Sequence, residues 1–500
     1  MLAAARSFAL IGVEAREVQV EVHVGPGLPA FSLVGLPDAA VRESRERVRA
    51  ALVNSGFKFP QQRITANLAP ADLRKAGPSF DLAIAAALLA ASEQLEPRRL
   101  ERLALAGELA LDGSIRPVPG TLAMAEAAGR RGSEAIAVPS ANAPEAMLAE
   151  GARVIPLERL AELASLGTDQ EPEPPPAPGW GPNNARPAGP DLADLRGQPY
   201  LRYALEVAAA GGHSVLIVGP PGAGKSLAAR RLPSILPSPS RSEALEVLRI
   251  ASASGRSPRL GLPAARPFRA PHHTISTAGL VGGGSPPRPG EVTLAHRGVL
   301  FLDELGEFSR EALEALRQPL EEGRVTIVRA RHAIELPCRF MLIAASNPCP
   351  CGRGEESGEC ECQPASVRRY RAKLSGALAD RIDIAISVER PTAEQMAAAP
   401  ATDSASVRER VVAARELQER RMGPGRCNAE IGLAELRRVC RLGATAKPLL
   451  ADGHATLGLS GRGHDRVLRL SRTIADLDGS ERVSDDHVAK ALTLRRRGPR

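Results

Sequence analysis

Residues 219–226 read Gly219-Pro-Pro-Gly-Ala-Gly-Lys-Ser226, a complete G-x-x-x-x-G-K-[ST] phosphate loop. The apolar run Ser214-Val-Leu-Ile-Val218 precedes it, and a helical pattern starts at Leu227. Strand, glycine-rich turn and helix in that order let backbone N–H groups close around phosphate oxygens, and the helix N-terminus adds partial positive charge. Gly219, Pro220, Pro221, Gly222, Ala223, Gly224, Lys225 and Ser226 are therefore the expected nucleotide-binding stretch. Lys225 is expected to reach the β/γ-phosphates, and the Ser226 hydroxyl to bind Mg²⁺.

Downstream, Gly298-Val-Leu-Phe-Leu-Asp-Glu304 has four apolar residues followed by two carboxylates. That pattern predicts a buried strand with acidic groups at its carboxyl end, where parallel sheets bind ligands. Asp303 is placed to hold Mg²⁺ through water, and Glu304 to orient or deprotonate an attacking water. A further buried strand is predicted over Met341-Leu-Ile-Ala-Ala345, ending at Ser346-Asn347. Between these strands, Val325-Thr-Ile-Val328 and Ala333-Ile-Glu-Leu336 flank Arg329-Ala-Arg-His332, the pattern of a hairpin with a basic tip. The tip suits a phosphate backbone, or else guards an exposed edge with charge.

The chain has 500 residues, which corresponds to about three ordinary domains. Only 3 % of residues are aromatic, so the cores must rest on Ala, Leu, Val and Ile. The net charge of +8 favours polyanions modestly. The ending Leu494-Arg-Arg-Arg-Gly-Pro-Arg500 is either a nucleic-acid contact or an unstructured end. No stretch approaches the roughly 20 apolar residues of a membrane span, and Glu14, Arg16 and Glu17 interrupt any signal-peptide core, so a cytoplasmic location is expected.

Residues 169–190 are Pro-rich and almost devoid of core-forming side chains, as in an exposed linker. They divide the chain into an α+β unit over 1–168, an α/β unit over 191–400 and a helical part over 401–500. In the first unit a strand is predicted over Val18–Val24, helices over Ala39–Ser55, Ala83–Ala91 and Leu122–Arg130, and a strand over Ala135–Pro139. In the last part, Gly and Pro are expected to interrupt the helices near 423–425 and 458–463.

Cys349-Pro-Cys351 and Cys360-Glu-Cys362 are two C-x-C pairs separated by eight residues, with Gly352, Gly354 and Gly358 between them. Four thiolates spaced in this way suit a closed structural zinc site; free thiols or redox pairs are the other readings. Such a site would brace the loop after Asn347. His272 and His273 lack a further ligand at metal spacing and read as loop contacts near the nucleotide, while Cys338, Cys427 and Cys440 read as small apolar residues.

These motifs, in this order, resemble AAA+ ATPases of the magnesium-chelatase-like group, of the ComM/YifB type. The most particular strings are Val34-Gly-Leu-Pro-Asp-Ala-Ala-Val-Arg-Glu-Ser-Arg-Glu-Arg47, Asn67-Leu-Ala-Pro-Ala-Asp-Leu-Arg-Lys75, Arg269-Ala-Pro-His-His273 and Leu374-Ser-Gly-Ala-Leu-Ala-Asp-Arg381. The resemblance implies a homo-hexameric, ATP-dependent DNA motor, a helicase driving branch migration in natural transformation or recombination. The alternatives are a chelatase-type motor acting on a protein partner and a protein-remodelling ATPase. It also implies that Asn347 senses the γ-phosphate, that Arg381 is an arginine finger reaching a neighbour's ATP, and that Arg462, with Arg466 second, contributes from a C-terminal helical lid. Each of these arginines could instead be a surface salt bridge. The first unit resembles the Lon-protease (ribosomal S5 domain 2-like) fold, with Gly77-Pro-Ser79 at the nucleophile turn. The position of the activating lysine falls at about Leu122, and Lys75 does not match the pattern, so Ser79 is expected to be structural and peptidase activity absent.

Overall fold

A computed structural model describes residues 1–176, 190–256, 262–284, 287–329, 332–354, 358–375, 378, 381–397, 402–443 and 445–495. Two sheets organise the chain. In the first 160 residues, seven strands run in the order Ala30–Val34, Arg63–Ala69, Glu14–Gly25, Leu2–Ile11, Leu103–Leu105, Ala135–Pro139, Arg153–Leu157. Of the six pairings two are antiparallel, Leu2–Ile11 with Glu14–Gly25 and the latter with Arg63–Ala69; the other four are parallel. The alternation read over Val18–Val24 extends to twelve residues, because the turn at Gly12, with φ 64°, folds the strand directly back on its neighbour.

The helix Asp81–Ala91 is buried on every side. A helix that is apolar all round belongs inside, and its alanines allow close approach to the sheet. It begins two residues before the predicted start, because Asp81 itself is buried and held by Ser44 and Arg47, with Arg47 Nε 2.6 Å from Asp81 Oδ2.

The second sheet is entirely parallel, in the order Phe268–Arg269, Val299–Leu302, Met341–Ser346, Val215–Val218, Ile384–Ser387. Its three inner strands are largely apolar runs buried on both faces, as crossover helices require. The helices Ser404–Met422, Leu433–Val439, Ala446–Leu457, Gly461–Leu477 and Asp485–Thr493 follow, and Val467, Leu470, Ile474 and Val488 join one continuous core with Val215, Ile217 and Ile343. The break expected over 458–463 is shorter than predicted. Gly458 ends one helix in the left-handed region, and Ser460 caps the next by accepting the Gly463 N–H, so Gly461 and Gly463 lie inside its first turn.

The hairpin pairs Arg324–Arg329 with His332–Pro337. Its base is seated in the core by Ile327, Ile334 and Leu336, against Val13 from the first sheet's turn. Residues 330–331 of its tip, most of the Pro-rich stretch and the basic ending beyond Arg495 lie outside the described residues. A second bridge between the two halves is Glu145, which is buried and accepts from Thr121 Oγ1 at 2.8 Å, from the Leu122 N–H at 3.0 Å and from Ser252 Oγ. Leu122 is fully buried against Leu148 and Leu248 and is part of this junction. No helix among the described residues is long and apolar enough to cross a membrane.

Candidate functional site

Val215–Val218 delivers the chain to the carboxyl edge of the parallel sheet, and the phosphate loop begins there. Gly222 and Gly224 take φ of 82° and 86°, left-handed values that suit glycine. The helix Lys225–Ile235 starts directly behind Gly224, a residue with no side chain to cap it, which leaves the first N–H groups facing the loop. Lys225 Nζ donates to Gly219 O at 2.5 Å, Pro220 O at 2.9 Å and Asn347 Oδ1 at 3.1 Å. Burial pushes its pKa below the ordinary lysine value, against the opposing pull of Asp303 and Glu304. An ammonium held only by carbonyl oxygens is placed to exchange them for phosphate.

Ser226 Oγ donates to Asp303 Oδ2 at 2.6 Å, and Asp303 Oδ1 accepts the Glu304 N–H at 3.0 Å. One hydroxyl and one carboxylate in contact form the hard-oxygen donor set that Mg²⁺ takes, with water and phosphate completing it. Glu304 has φ 52° and ψ 48°, a conformation uncommon outside glycine, which turns its side chain out of the strand. Its Oε2 lies 3.2 Å from His273 Nδ1, and that ring packs on His272 at 4.1 Å between centroids and edge-on to Phe308 at 6.5 Å.

The sequence did not point to the pairing of His273 with Glu304. The strand Phe268–Arg269 pairs Phe268↔Val299 and Arg269↔Leu300, so whatever follows Arg269 must emerge beside Asp303 and Glu304. The signal was hidden because that strand is only two residues long. Arg269 itself is clamped by Glu291, with contacts of 2.6 and 2.7 Å.

Asn347 follows the strand Met341–Ser346, and its Oδ1 accepts from Lys225. Two residues later the chain enters the cysteine loop, where the four Sγ atoms of Cys349, Cys351, Cys360 and Cys362 all lie within 4.8 Å of one another. Cys338, Cys427 and Cys440 are buried singly, as small apolar residues are.

Arg381 and Arg462 are brought together, but at the other edge of the sheet. Glu321 Oε1 accepts from Arg381 at 2.6 Å and from Arg462 at 3.1 Å. The Arg381 carbonyl accepts from Ser214 Oγ, and Ser214 stands just before the phosphate-loop strand, at its amino end. Four strand residues, roughly 13 Å, therefore separate this edge from the phosphate loop. Arg466 Nε meets Asp383 Oδ1 at 3.1 Å. Burial would push the Asp383 carboxyl up, but the adjacent His213 ring and the Arg466 guanidinium hold it well below the usual carboxylate range. These groups border a cavity of about 770 Å³ whose walls include Arg266, Arg297, Arg381, Arg462 and Arg466.

In the first half, Ser79 is buried in a short turn whose carbonyl accepts the Gly107 N–H. Lys75 is fully buried and donates to Pro70 O; burial lowers its pKa.

Three family models match the chain: "Magnesium chelatase, subunit ChlI" over residues 191–396, "Subunit ChlI of Mg-chelatase" over 20–142, and "Magnesium chelatase, subunit ChlI C-terminal" over 401–495. Among whole-length relatives, an uncharacterized protein of Mycobacterium tuberculosis is 45 % identical over 518 residues, covering 100 % of this chain and 99 % of its own. The uncharacterized protein YifB of Escherichia coli is 42 % identical, covering 97 % of this chain and 96 % of its own. The competence protein ComM of Haemophilus influenzae is 42 % identical, covering 99 % and 97 %.

Proposed function

This chain belongs to the magnesium-chelatase-like AAA+ family that includes YifB and ComM, and from that premise we propose that it is an ATP-driven ring motor acting on DNA. The observation that carries the ring reading is the split of the site. Lys225, Ser226, Asp303, Glu304 and Asn347 stand at the carboxyl edge of the sheet, while Arg381 and Arg462 stand at its amino edge on Glu321. Held on Glu321 at the far edge from their own phosphate loop, these arginines serve the ATP of a neighbouring copy, in a homo-hexamer by family likeness.

The roles follow from the contacts. Lys225 leaves its carbonyl partners for the β/γ-phosphates and draws Asn347 with it. Ser226 and Asp303 hold Mg²⁺, which supplies charge neutralisation at the phosphates when bound. Glu304 orients the attacking water and takes its proton, and His273 fixes the rotamer from which it does so. Arg381 and Arg462 of the adjoining copy stabilise charge developing on the transferred phosphoryl group.

The domain reading completes the proposal: a Lon-like unit without a working dyad over 1–168, a linker over 169–190, the ATPase core over 191–400 and a helical lid over 401–500. It is supported by the burial of Leu122 where an activating lysine would stand, and by the C-terminal helices sharing the core of the parallel sheet. DNA is supported by the basic stretch Arg329-Ala-Arg-His332, read in the sequence as a hairpin tip, by the net charge of +8, and by a relative named as a competence protein. We read the work as helicase-driven branch migration during transformation or recombination. The second reading, a chelatase-type motor or a protein remodeller acting on a protein partner, is favoured by the names of the matching family models. ATPase turnover measured with and without single-stranded DNA and a four-way junction, at stated salt, separates them. Stimulation by DNA that weakens as salt rises supports the motor, and turnover indifferent to DNA at every salt sinks it.

A further inference from the structure

We propose that Cys349, Cys351, Cys360 and Cys362 bind one Zn²⁺, and that the bound ion holds the phosphate loop in its working position, so that ATP turnover depends on a metal that never touches the nucleotide. The metal site stands on the cysteine geometry alone; the dependence of turnover on it rests on the ATPase reading above.

The geometry is that of a single tetrahedral ion. A Zn–S bond of about 2.3 Å gives a tetrahedron with edges of about 3.8 Å. The Sγ separations are 3.3 Å for Cys349–Cys351, 3.8 Å for Cys351–Cys360 and 3.7 Å for Cys360–Cys349, with all four sulfurs within 4.8 Å of one another. An iron–sulfur cage, whose irons each carry their own thiolate, would splay the four sulfurs wider than this. Two backbone donors point at sulfur: the Cys351 N–H to Cys362 at 3.3 Å and the Gly354 N–H to Cys349 at 3.2 Å. Such donors stabilise thiolates and orient the ligands. Gly352 and Gly354 take φ of 83° and 82°, which bends the chain tightly enough to aim both C-x-C pairs at one point. Four thiolates this close repel one another unless a cation sits between them, whereas four thiols have no reason to converge.

The coupling to the ATP site is direct. Cys349 follows Asn347 by two residues, and Asn347 accepts from Lys225. Gly352 lies flat on Pro221 of the phosphate loop: a Cβ there would stand 2.9 Å from both Pro221 Cγ and Cδ. Arg390 holds the other side of that proline through its carbonyl, at 2.8 Å. The phosphate loop is thus gripped between Arg390 and the cysteine loop. Releasing the metal loosens one jaw, because without the ion the described links between Cys349–Cys351 and Cys360–Cys362 are weak and exposed: the Cys351 N–H on Cys362 Sγ, and Arg353 on the Glu359 carbonyl and the Glu361 carboxylate.

The test uses the full chain. Elemental analysis of the purified protein is expected to find about one zinc per chain, and Co²⁺ exchanged into it should give the intense visible absorption of a tetrahedral thiolate site. Stripping the metal with an organomercurial, then removing the mercurial with thiol, should lower both turnover and the affinity for a fluorescent ATP analogue by on the order of tenfold, with recovery when Zn²⁺ is returned. Because a Cys360→Ser, Cys362→Ser double variant could misfold, Pro221→Ala serves as a second arm: it removes the ring atoms on which Gly352 lies without touching the cysteine loop, and it should keep its zinc yet lose turnover. Protein without metal that does not take up Co²⁺, or that carries an iron chromophore, overturns the site. Zinc that can be removed with turnover and nucleotide affinity unchanged overturns the coupling. Stoichiometric zinc in a protein with no ATPase activity leaves the site standing and sinks the motor reading.

Discussion

The two edges of the parallel sheet carry the same kind of residue to different ends. At the carboxyl edge, Lys225 and Ser226 open the helix behind the phosphate loop, Asp303 and Glu304 follow the strand Val299–Leu302, and Asn347 follows the adjacent Met341–Ser346, so the strands converge them on one point. At the amino edge, Arg381, Arg462 and Arg466 come from a turn and a distant helix and meet acidic groups of the same chain, Glu321 and Asp383. The first edge is built to receive phosphate. The second holds its cations against carboxylates, ready for an anion presented from outside. A sheet that is chemically complete at neither edge is the observation on which the proposed ring rests.

The sharpest way to break this comparison is Lys225→Ala. Turnover should fall by at least ~10²-fold, the cost of losing one donor to the developing charge, while circular dichroism stays unchanged. Normal turnover would remove the carboxyl edge from the chemistry. Glu304→Gln should bind ATP but hydrolyse it on the order of 10²-fold more slowly, trapping the nucleotide-bound assembly. His273→Ala should cost less, about tenfold, because it acts through Glu304; if both variants lose equally, His273 touches the reacting atoms itself.

Stability sharpens the other edge. Asp383 has its pKa lowered in the folded state, so its contribution is complete above the unfolded value of about 3.9 and is lost as pH falls through the folded one. Asp383→Asn should therefore destabilise by about 3 kcal/mol at neutral pH, and the gap to the parent in urea unfolding should close as the pH approaches about 2. A gap independent of pH would mean that the carboxylate is not paired as described. The smallest effect should come from Glu321→Gln. Glu321 is 44 % exposed, so removing its charge from beside Arg381 and Arg462 should change stability by less than about 1 kcal/mol. A large loss would mean that this pairing is structural and that the arginines are not held for another partner.

What was legible in the sequence follows the same divide. The phosphate loop, the acidic strand end and the Cys349–Cys362 spacing are contiguous patterns, and contiguity survives in a one-dimensional reading. The meeting of Arg381 with Glu321 spans sixty residues, and that of Arg462 with Glu321 spans 141, so neither leaves a local trace. His273 was hidden by a strand of two residues. Arg472 was harder still. It sits in the amphipathic helix Gly461–Leu477 as one arginine among several, yet it is 1 % exposed. Asp476 pairs with it at 2.9 Å, the Ser480 and Glu481 carbonyls accept from it, and Arg421 shares the same carboxylate. A buried cation is recognisable only once its partners are placed.

The most direct test of the split site is a mixing experiment. Lys225→Ala lacks the carboxyl half and Arg381→Ala the amino half, so each alone should be inactive. Mixed, co-assembled rings should contain interfaces in which an intact phosphate loop faces an intact Arg381, and a substantial part of the turnover should return. Mixed assemblies of verified composition that remain as inactive as the separate variants would contradict the account.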